Sequence, residues 1–205
     1  MKKNKTSKNW IINQHRDAYF KKSKILGYRS RSAFKLIELN KKFNILKKDS
    51  KVLDLGSAPG GWSQVLGSFC SNGKVMSVDL KEMEKLDNVE FLMMDFRKNE
   101  SKKKIENFFG GKIGVVLSDM AANTTGNKSL DCIRTNDLCI QVLNFSLNIL
   151  DNNGAIISKL FIGQDFEEVK NFALSNFKKV RFFKPKSSKD ESKETYIHCE
   201  GIKTL

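Results

Sequence analysis

Apolar residues fall into short dense runs separated by longer, helically spaced segments. "KVLDLG", "KVMSVDL", "VEFLMMD", "IGVVLSDM" and "AIISKLF" are short, nearly continuous apolar runs, the pattern of strands buried on both faces. Between them, "GWSQVLGSF", "SKKKIENFF", "IRTNDLCIQVLNFSLNIL" and "FEEVKNFALSNF" place apolar residues at helical intervals. Ahead of the first strand, "RSRSAFKLIELNKKFNIL" carries Phe34, Leu36, Ile37 and Leu39 near helical spacing, with Ser30 or Ser32 as the candidate N-cap. The long helix "IRTNDLCIQVLNFSLNIL" is expected to stop at "DNNG", with Gly154 supplying a left-handed cap or turn. "KVRFFK" and "ETYIHCEGI" follow one another with no helix between them, which predicts an antiparallel pair at one sheet edge. Alternating strands and helices predict a single α/β domain, a doubly wound and mostly parallel sheet of seven strands covered on both faces. Residues 1–28 are polar and lysine-rich, and read as a basic N-terminal arm ending in a short helix; residues 29–205 form the domain.

Composition narrows the partners. The chain has 205 residues, 40% of them hydrophobic, enough for one buried core. Lys and Arg number 37 against 23 Asp and Glu, a formal charge of +14. That excess attracts polyanions, nucleic acid first, with an acidic membrane surface or a merely lysine-rich exterior as alternatives. No apolar run approaches the roughly 20 residues needed to cross a bilayer, and "MKKNKTSKNW" holds no apolar leader segment. A cytoplasmic protein is expected, with an organelle as the alternative. Cys70, Cys132, Cys139 and Cys199 show no CxxC spacing and only His15 and His198 accompany them, so no metal site is expected. The cysteines read as thiols of a reducing compartment. With no exposed heptad or large apolar stripe, a monomer is expected.

The candidate chemistry starts at "VLDLGSAPGGWSQVL", where a strand meets a turn dense in glycine and then a helix. Gly56, Gly60 and Gly61 have neither P-loop spacing nor the G-x-G-x-x-G dinucleotide spacing, so a nucleotide phosphate is not the best fit. The alternative is a tight turn with no ligand. The second strand ends in Asp79, where an acid bonds ribose hydroxyls in nucleoside-binding folds. The third ends in Asp95, placed to accept from an adenine amino group. Two acids after a glycine turn favour an adenosine-like ligand without phosphates, a description that S-adenosylmethionine fits. Asp119 and Lys159 end neighbouring apolar strands, either as a structural ion pair or as functional groups.

"LDLGSAPGGWSQVL", "GYRSRSAFKLIEL", "LSDMAANTTG", "SKLFIGQDF" and "FKPKSSKDESKETYI" together resemble, in order, motifs of the FtsJ/RrmJ family of S-adenosylmethionine-dependent RNA 2′-O-ribose methyltransferases. The resemblance implies a Rossmann-like methyltransferase fold and a catalytic set of Lys35, Asp119, Lys159 and Glu194. It also implies cofactor contacts from Gly56, Ser57, Pro59, Gly60, Gly61, Trp62, Asp79, Asp95 and Asp119, with a core-packing role as the alternative for Trp62. Ala122 stands where the family pattern has proline, which predicts a looser loop after Asp119, and "KLFIGQ" replaces a "KLFQGE"-like stretch. Methyl transfer to a hydroxyl needs alignment and proton handling; Lys159 is the candidate base, or else stabilises the developing alkoxide. Arg29, Arg31, Lys41 and Lys42, with Lys2, Lys3, Lys5 and Lys8 of the arm, are the candidate phosphate contacts. "NWIINQHRDAYF" is similar to the ribosomal branch through Trp10, Asp17 and Tyr19. The implied substrate is ribosomal RNA within the large subunit, methylated at a uridine; transfer RNA, or a non-catalytic role in ribosome assembly, are the alternatives.

Overall fold

The computed structural model describes residues 17–163 and 165–203, so Trp10 and the lysines of residues 1–16 lie outside the described part. The elements run α1 (Ala18–Ile25), α2 (Ser32–Phe43), β1 (Lys51–Leu55), α3 (Gly61–Phe69), β2 (Lys74–Asp79) and β3 (Glu90–Met93). They continue through α4 (Asn99–Phe109), β4 (Ile113–Ser118), α5 (Lys128–Ile149), β5 (Leu150–Phe161), α6 (Phe166–Asn176), β6 (Phe177–Phe183) and β7 (Glu194–Ile202).

One seven-stranded sheet has the order β3-β2-β1-β4-β5-β7-β6. β1 pairs in parallel with both β2 and β4. The chain therefore reverses direction across the sheet at β1, and the crevice beyond the carboxyl ends of β1 and β4 is where such sheets bind ligands. The antiparallel pairing expected at one edge is present: β7 slots between β5 and β6 and runs against both.

Each face of the sheet has its own apolar layer. Leu53, Leu55, Phe109, Val142, Leu143 and Phe177 belong to one; Leu36, Leu39, Trp62, Leu66 and Tyr196 belong to the other. This two-sided burial is why β1, β2, β4 and β5 read as continuous apolar runs; β3, expected to be buried as well and to end in Asp95, is instead a half-exposed edge strand that stops at Met93, with Asp95 in the loop beyond it. α1 is capped by Asp17, whose carboxylate accepts from the Tyr19 and Phe20 backbone N–H groups and pairs with Arg31. Tyr19 and Tyr28 pack on Phe34 of α2, so the end of the segment read as an arm is docked on the domain.

Three local expectations need correction. Neither Ser30 nor Ser32 caps α2; Arg31 is the N-cap, and the two hydroxyls bond each other at 2.6 Å. α5 starts at Lys128, where the Asn127 side chain caps the helix by accepting from Ser129 and Leu130 N–H. Gly154 is not left-handed: β5 begins at Leu150 straight after α5, and Gly154 lies inside it. Leu150 is buried and pairs with Ile113, and its side chain folds over Gly154, where an added Cβ would lie 2.6 Å from Leu150 Cγ. Packing against Leu150 thus explains that glycine.

Candidate active site

Five side chains from three strand ends and one helix meet at the carboxyl edge. β4 delivers Asp119, β5 Lys159, β7 Glu194 and Tyr196, and α2 Lys35. In the antiparallel register Lys159 faces Tyr196 and Phe161 faces Glu194, so the two-residue strand period sets Glu194 and Tyr196 on one face beside Lys159. Lys159 Nζ donates to the Asp119 backbone oxygen at 2.5 Å and to Asp119 Oδ1 at 3.0 Å. Tyr196 donates its hydroxyl to the same Oδ1 at 2.6 Å. Lys35 Nζ lies 2.7 Å from Glu194 Oε1 and 3.9 Å from Asp119 Oδ1; Lys159 Nζ is 4.0 Å from Glu194 Oε2. Ser188 donates to Glu194 Oε1 at 2.7 Å. Two cations and two carboxylates thus balance in a nearly dry cluster. Burial pushes the Asp119 carboxyl up, but the Lys159 and Lys35 ammonium groups and the Tyr196 hydroxyl outweigh it and hold the group below the ordinary carboxylate range. Burial, with the Asp119 and Glu194 charges, pushes the Tyr196 phenol well up, so it stays a hydrogen-bond donor.

The strand ends are pinned from behind. Asn136 of α5 is buried and reads both backbone groups of Phe161: its Nδ2 donates to the Phe161 oxygen at 3.1 Å, and Phe161 N–H donates to Oδ1 at 2.8 Å. The loop after Asp119 is tied rather than loosened. Ala122 N–H donates to Thr135 Oγ1 at 3.2 Å, a bond that proline could not make, and Thr125 donates twice to Asp131 Oδ1.

Beside this cluster, a cavity of about 360 Å³ opens over β1, β2 and β3; Gly56, Asp79, Asp95, Phe96, Asp119 and Met120 are among its walls. A smaller one of about 240 Å³ adjoins it, sharing Gly56, Ala58 and Asp119, and reaches Ser57, Pro59 and Trp62. Asp79 holds the glycine turn to β2: it accepts from Ala58 N–H at 2.9 Å and from Lys81 N–H at 2.8 Å. Asp95 takes a two-point pair from Arg97, at 2.8 and 2.6 Å, and that hydrogen bonding outweighs burial to lower its carboxyl pKa. Each carboxylate keeps lone pairs for a ligand.

The glycines answer to the protein as well as to any ligand. Gly56 and Gly60 have φ of +75° and +107°, and a Cβ on Gly56 would lie 2.1 Å from Met120 Cγ. Gly61 abuts Ser30, whose hydroxyl would lie 2.1 Å from an added Cβ. Trp62 packs its ring in the core and donates Nε1–H to the Ser32 oxygen at 2.8 Å, joining α3 to the start of α2.

The acid-lined cavity suits an adenosine bearing a positive charge. Apolar walls accept a flat base and strand-end acids accept hydroxyl or amino donors; of the two cations on the walls, Arg97 is already paired with Asp95, and the other is Lys81. S-adenosylmethionine has those features, so the residues present fit it.

The arginines nearest Lys35 are not free. The Arg29 guanidinium donates to the backbone oxygens of Pro59, Glu84 and Lys85 at 3.3, 2.7 and 3.0 Å, bracing the glycine turn against the segment after β2. Arg31 pairs with Asp17 and donates to the Ser187 oxygen. Lys41 and Lys42 are exposed at the far end of α2. The sequence reading missed Tyr196 and Asn136. Tyr196 was findable, since a residue two beyond Glu194 in a strand shares its face; nothing in the sequence marks Asn136.

The FtsJ-like methyltransferase family matches residues 28–202. "Ribosomal RNA large subunit methyltransferase E" of Pelagibacter ubique is 47% identical over 203 residues, 99% of this chain and 100% of that protein. The protein of the same name from Rickettsia akari is 43% identical over 202 residues, 96% of this chain and 89% of its own length. A crystal structure presented as a ribosomal RNA methyltransferase of Plasmodium falciparum superposes with a TM-score of 0.77 at 32% identity, covering 85% of this chain and 98% of that one. By its length of match and its identity to these proteins, this chain belongs to the FtsJ-like methyltransferase family.

Proposed function

We propose that this chain transfers a methyl group from S-adenosylmethionine to a ribose 2′-hydroxyl, that of a uridine, in large-subunit ribosomal RNA. The observation that carries the reading is the closed set of Lys35, Asp119, Lys159 and Glu194 beside an acid-lined cavity that shares Asp119 with it. Its relatives' names supply the RNA class.

Gly56, Ala58, Asp79 and Asp95 would hold the adenosine part, with Asp79 toward the ribose hydroxyls and Asp95 toward the base. Bound there, S-adenosylmethionine supplies a methyl group activated by a positively charged sulfur. The protein's own part is to seat the 2′-oxygen and manage its proton. Asp119 takes two of the directions around Lys159 Nζ, through its backbone oxygen and Oδ1, and so aims the remaining one at the substrate oxygen. There Nζ receives the departing proton or donates to the oxygen as charge develops on it. Tyr196 fixes Asp119 from the other side, and Glu194 holds Lys35. The buried setting strengthens each of these interactions.

The test is methylation by the full chain with radiolabelled cofactor, offering undermethylated large subunits, free ribosomal RNA and transfer RNA. Label is expected on the large subunit, mapping to one 2′-O-methyluridine. Label confined to transfer RNA selects that substrate instead, and cofactor binding without label on any RNA selects the non-catalytic role.

A further inference from the structure

A third cavity, of about 200 Å³, is lined by Arg31, Lys35, Lys189, Ser192 and Glu194. Two of its walls, Lys35 and Glu194, are also walls of the catalytic cluster, so it begins where that cluster ends. Its charges do not cancel as the cluster's do. Lys35 and Glu194 neutralise each other at 2.7 Å, and Arg31 is matched by Asp17. Lys189 is exposed and has no ion pair among the described residues.

Donors are in surplus too. Arg31 Nε–H and the Ser187 hydroxyl are buried without a partner among the described residues. Ser192 Oγ accepts from Glu194 N–H at 3.1 Å, which leaves its own proton to give. The loop that carries Lys189 is also braced for binding. Glu38 accepts from Lys186 and Ser187 N–H at 2.6 and 3.1 Å, Arg31 grips the Ser187 oxygen, and Lys184 donates to the Asp190 and Ser192 oxygens at 3.0 and 2.6 Å. Those bonds hold the backbone on both sides of Lys189, so little ordering remains to be done on binding.

We infer that this cavity is a phosphodiester site, and that Lys189 and Arg31 bind the phosphate on the 3′ side of the nucleotide being methylated. The carbon next to the reacting 2′-hydroxyl bears the 3′-phosphate, and a cavity that shares Lys35 and Glu194 with the cluster around Lys159 is placed for an anion beside the reacting sugar. Arg31 has guanidinium N–H groups beyond those given to Asp17 and the Ser187 oxygen, Lys189 brings an exposed cation and Ser192 a hydroxyl, a donor set matched to phosphate oxygens. The inference rests on the RNA reading above. It adds one built contact at the site itself, where Arg29 is spent on the glycine turn.

The test is steady-state methylation of undermethylated large subunits over a range of KCl, for wild type, Lys189→Ala, Lys189→Glu, Lys189→Arg and the exposed α4 control Lys103→Ala. Lys189→Ala is expected to lower kcat/KM by about threefold to tenfold and Lys189→Glu by more. The slope of log kcat/KM against log salt is expected to shrink by about one for Lys189→Ala, while Lys189→Arg restores it and Lys103→Ala leaves it unchanged. Cofactor affinity by titration calorimetry monitors folding of each variant. If folded Lys189→Ala and Lys189→Glu keep the wild-type kcat/KM and slope, or lose activity with the slope unchanged, the phosphate site is overturned while the methyltransferase reading stands. A wild type that labels neither subunits nor free RNA overturns both.

Discussion

The two halves of the sheet's carboxyl edge handle charge in opposite ways. Over β1, β2 and β3, acids are spread apart and surround open space; Asp79 and Asp95 are held by backbone N–H groups and Arg97, with lone pairs to spare. Over β4, β5 and β7, charges of both signs are pressed together, and Lys159, Asp119, Glu194 and Lys35 hold one another. The first arrangement selects a ligand, because open acceptors reward a donor that enters. The second resists unpairing, so it is suited to positioning an oxygen and a proton. The proposed function thus gives binding and transfer to separate residues, with Asp119 in both.

The strongest way to break that division is to remove one residue from each half. Lys159→Ala is expected to cut turnover by roughly 10²–10⁴-fold, the range for loss of a proton-handling group, while calorimetric cofactor affinity stays within about twofold. Asp79→Ala is expected to do the reverse, weakening cofactor affinity by roughly 10–100-fold through a lost charge-assisted hydrogen bond and a freed glycine turn. Turnover at saturating cofactor should then fall far less than in Lys159→Ala. If both variants lost binding and turnover together, the halves would be one cooperative unit.

How far the sequence discloses each half follows from what made the signal. Strands buried on both faces leave continuous apolar runs, so β1, β2, β4 and β5 were legible, and so were the polar residues at or beside their carboxyl ends: Asp79 closing β2, Asp119 just past β4 and Lys159 two residues before the end of β5. Lys35 and Glu194 lie among other charges and were legible only through likeness to the family. The Gly154 turn was misread because a glycine required by a neighbour's side chain looks the same as one required by φ. Arg29 was misread for a related reason: composition counts a cation but not the three carbonyls it is spent on.

That misreading gives the next prediction, smaller in effect. Arg29→Ala removes donors from three backbone oxygens around the glycine turn, each net bond being worth about 1 kcal/mol. A melting temperature lower by several degrees is expected, at about 2–4 °C per kcal/mol for a chain of this size, with weaker cofactor binding. The salt dependence of RNA methylation should match wild type. A reduced salt slope with an unchanged melting temperature would return Arg29 to the phosphate contacts and blur the line between the halves.

The finest probe is Asp54, which lies in β1 at the boundary. Ser63 donates to its Oδ2 at 2.8 Å, and Ser77 donates in turn to Ser63 at 2.9 Å. Burial nonetheless pushes its carboxyl from 3.8 up to about 7, against the Ser63 hydrogen bond, and the Asp119 and Asp79 charges add to the rise. A group raised on folding contributes stability that is fully present below its unfolded value and is lost as pH climbs through its folded value. Between about pH 4 and 7 the unfolded chain releases this proton while the folded chain keeps it, so this contribution falls across that window. Asp119 has the opposite sign: its carboxyl is lowered, and its contribution is lost as the medium becomes acidic. Asp54→Asn keeps an acceptor for Ser63 and cannot ionise. Urea midpoints followed against pH should therefore show the variant gaining on wild type from pH 5 to 7.5, with the acid limb, which belongs to the ion-paired half, unmoved. Parallel curves across that range would mean that Asp54 is already ionised in the fold. The charge of the open half would then reach into β1, and the boundary between the two regions would have to be drawn behind Asp54 instead of through it.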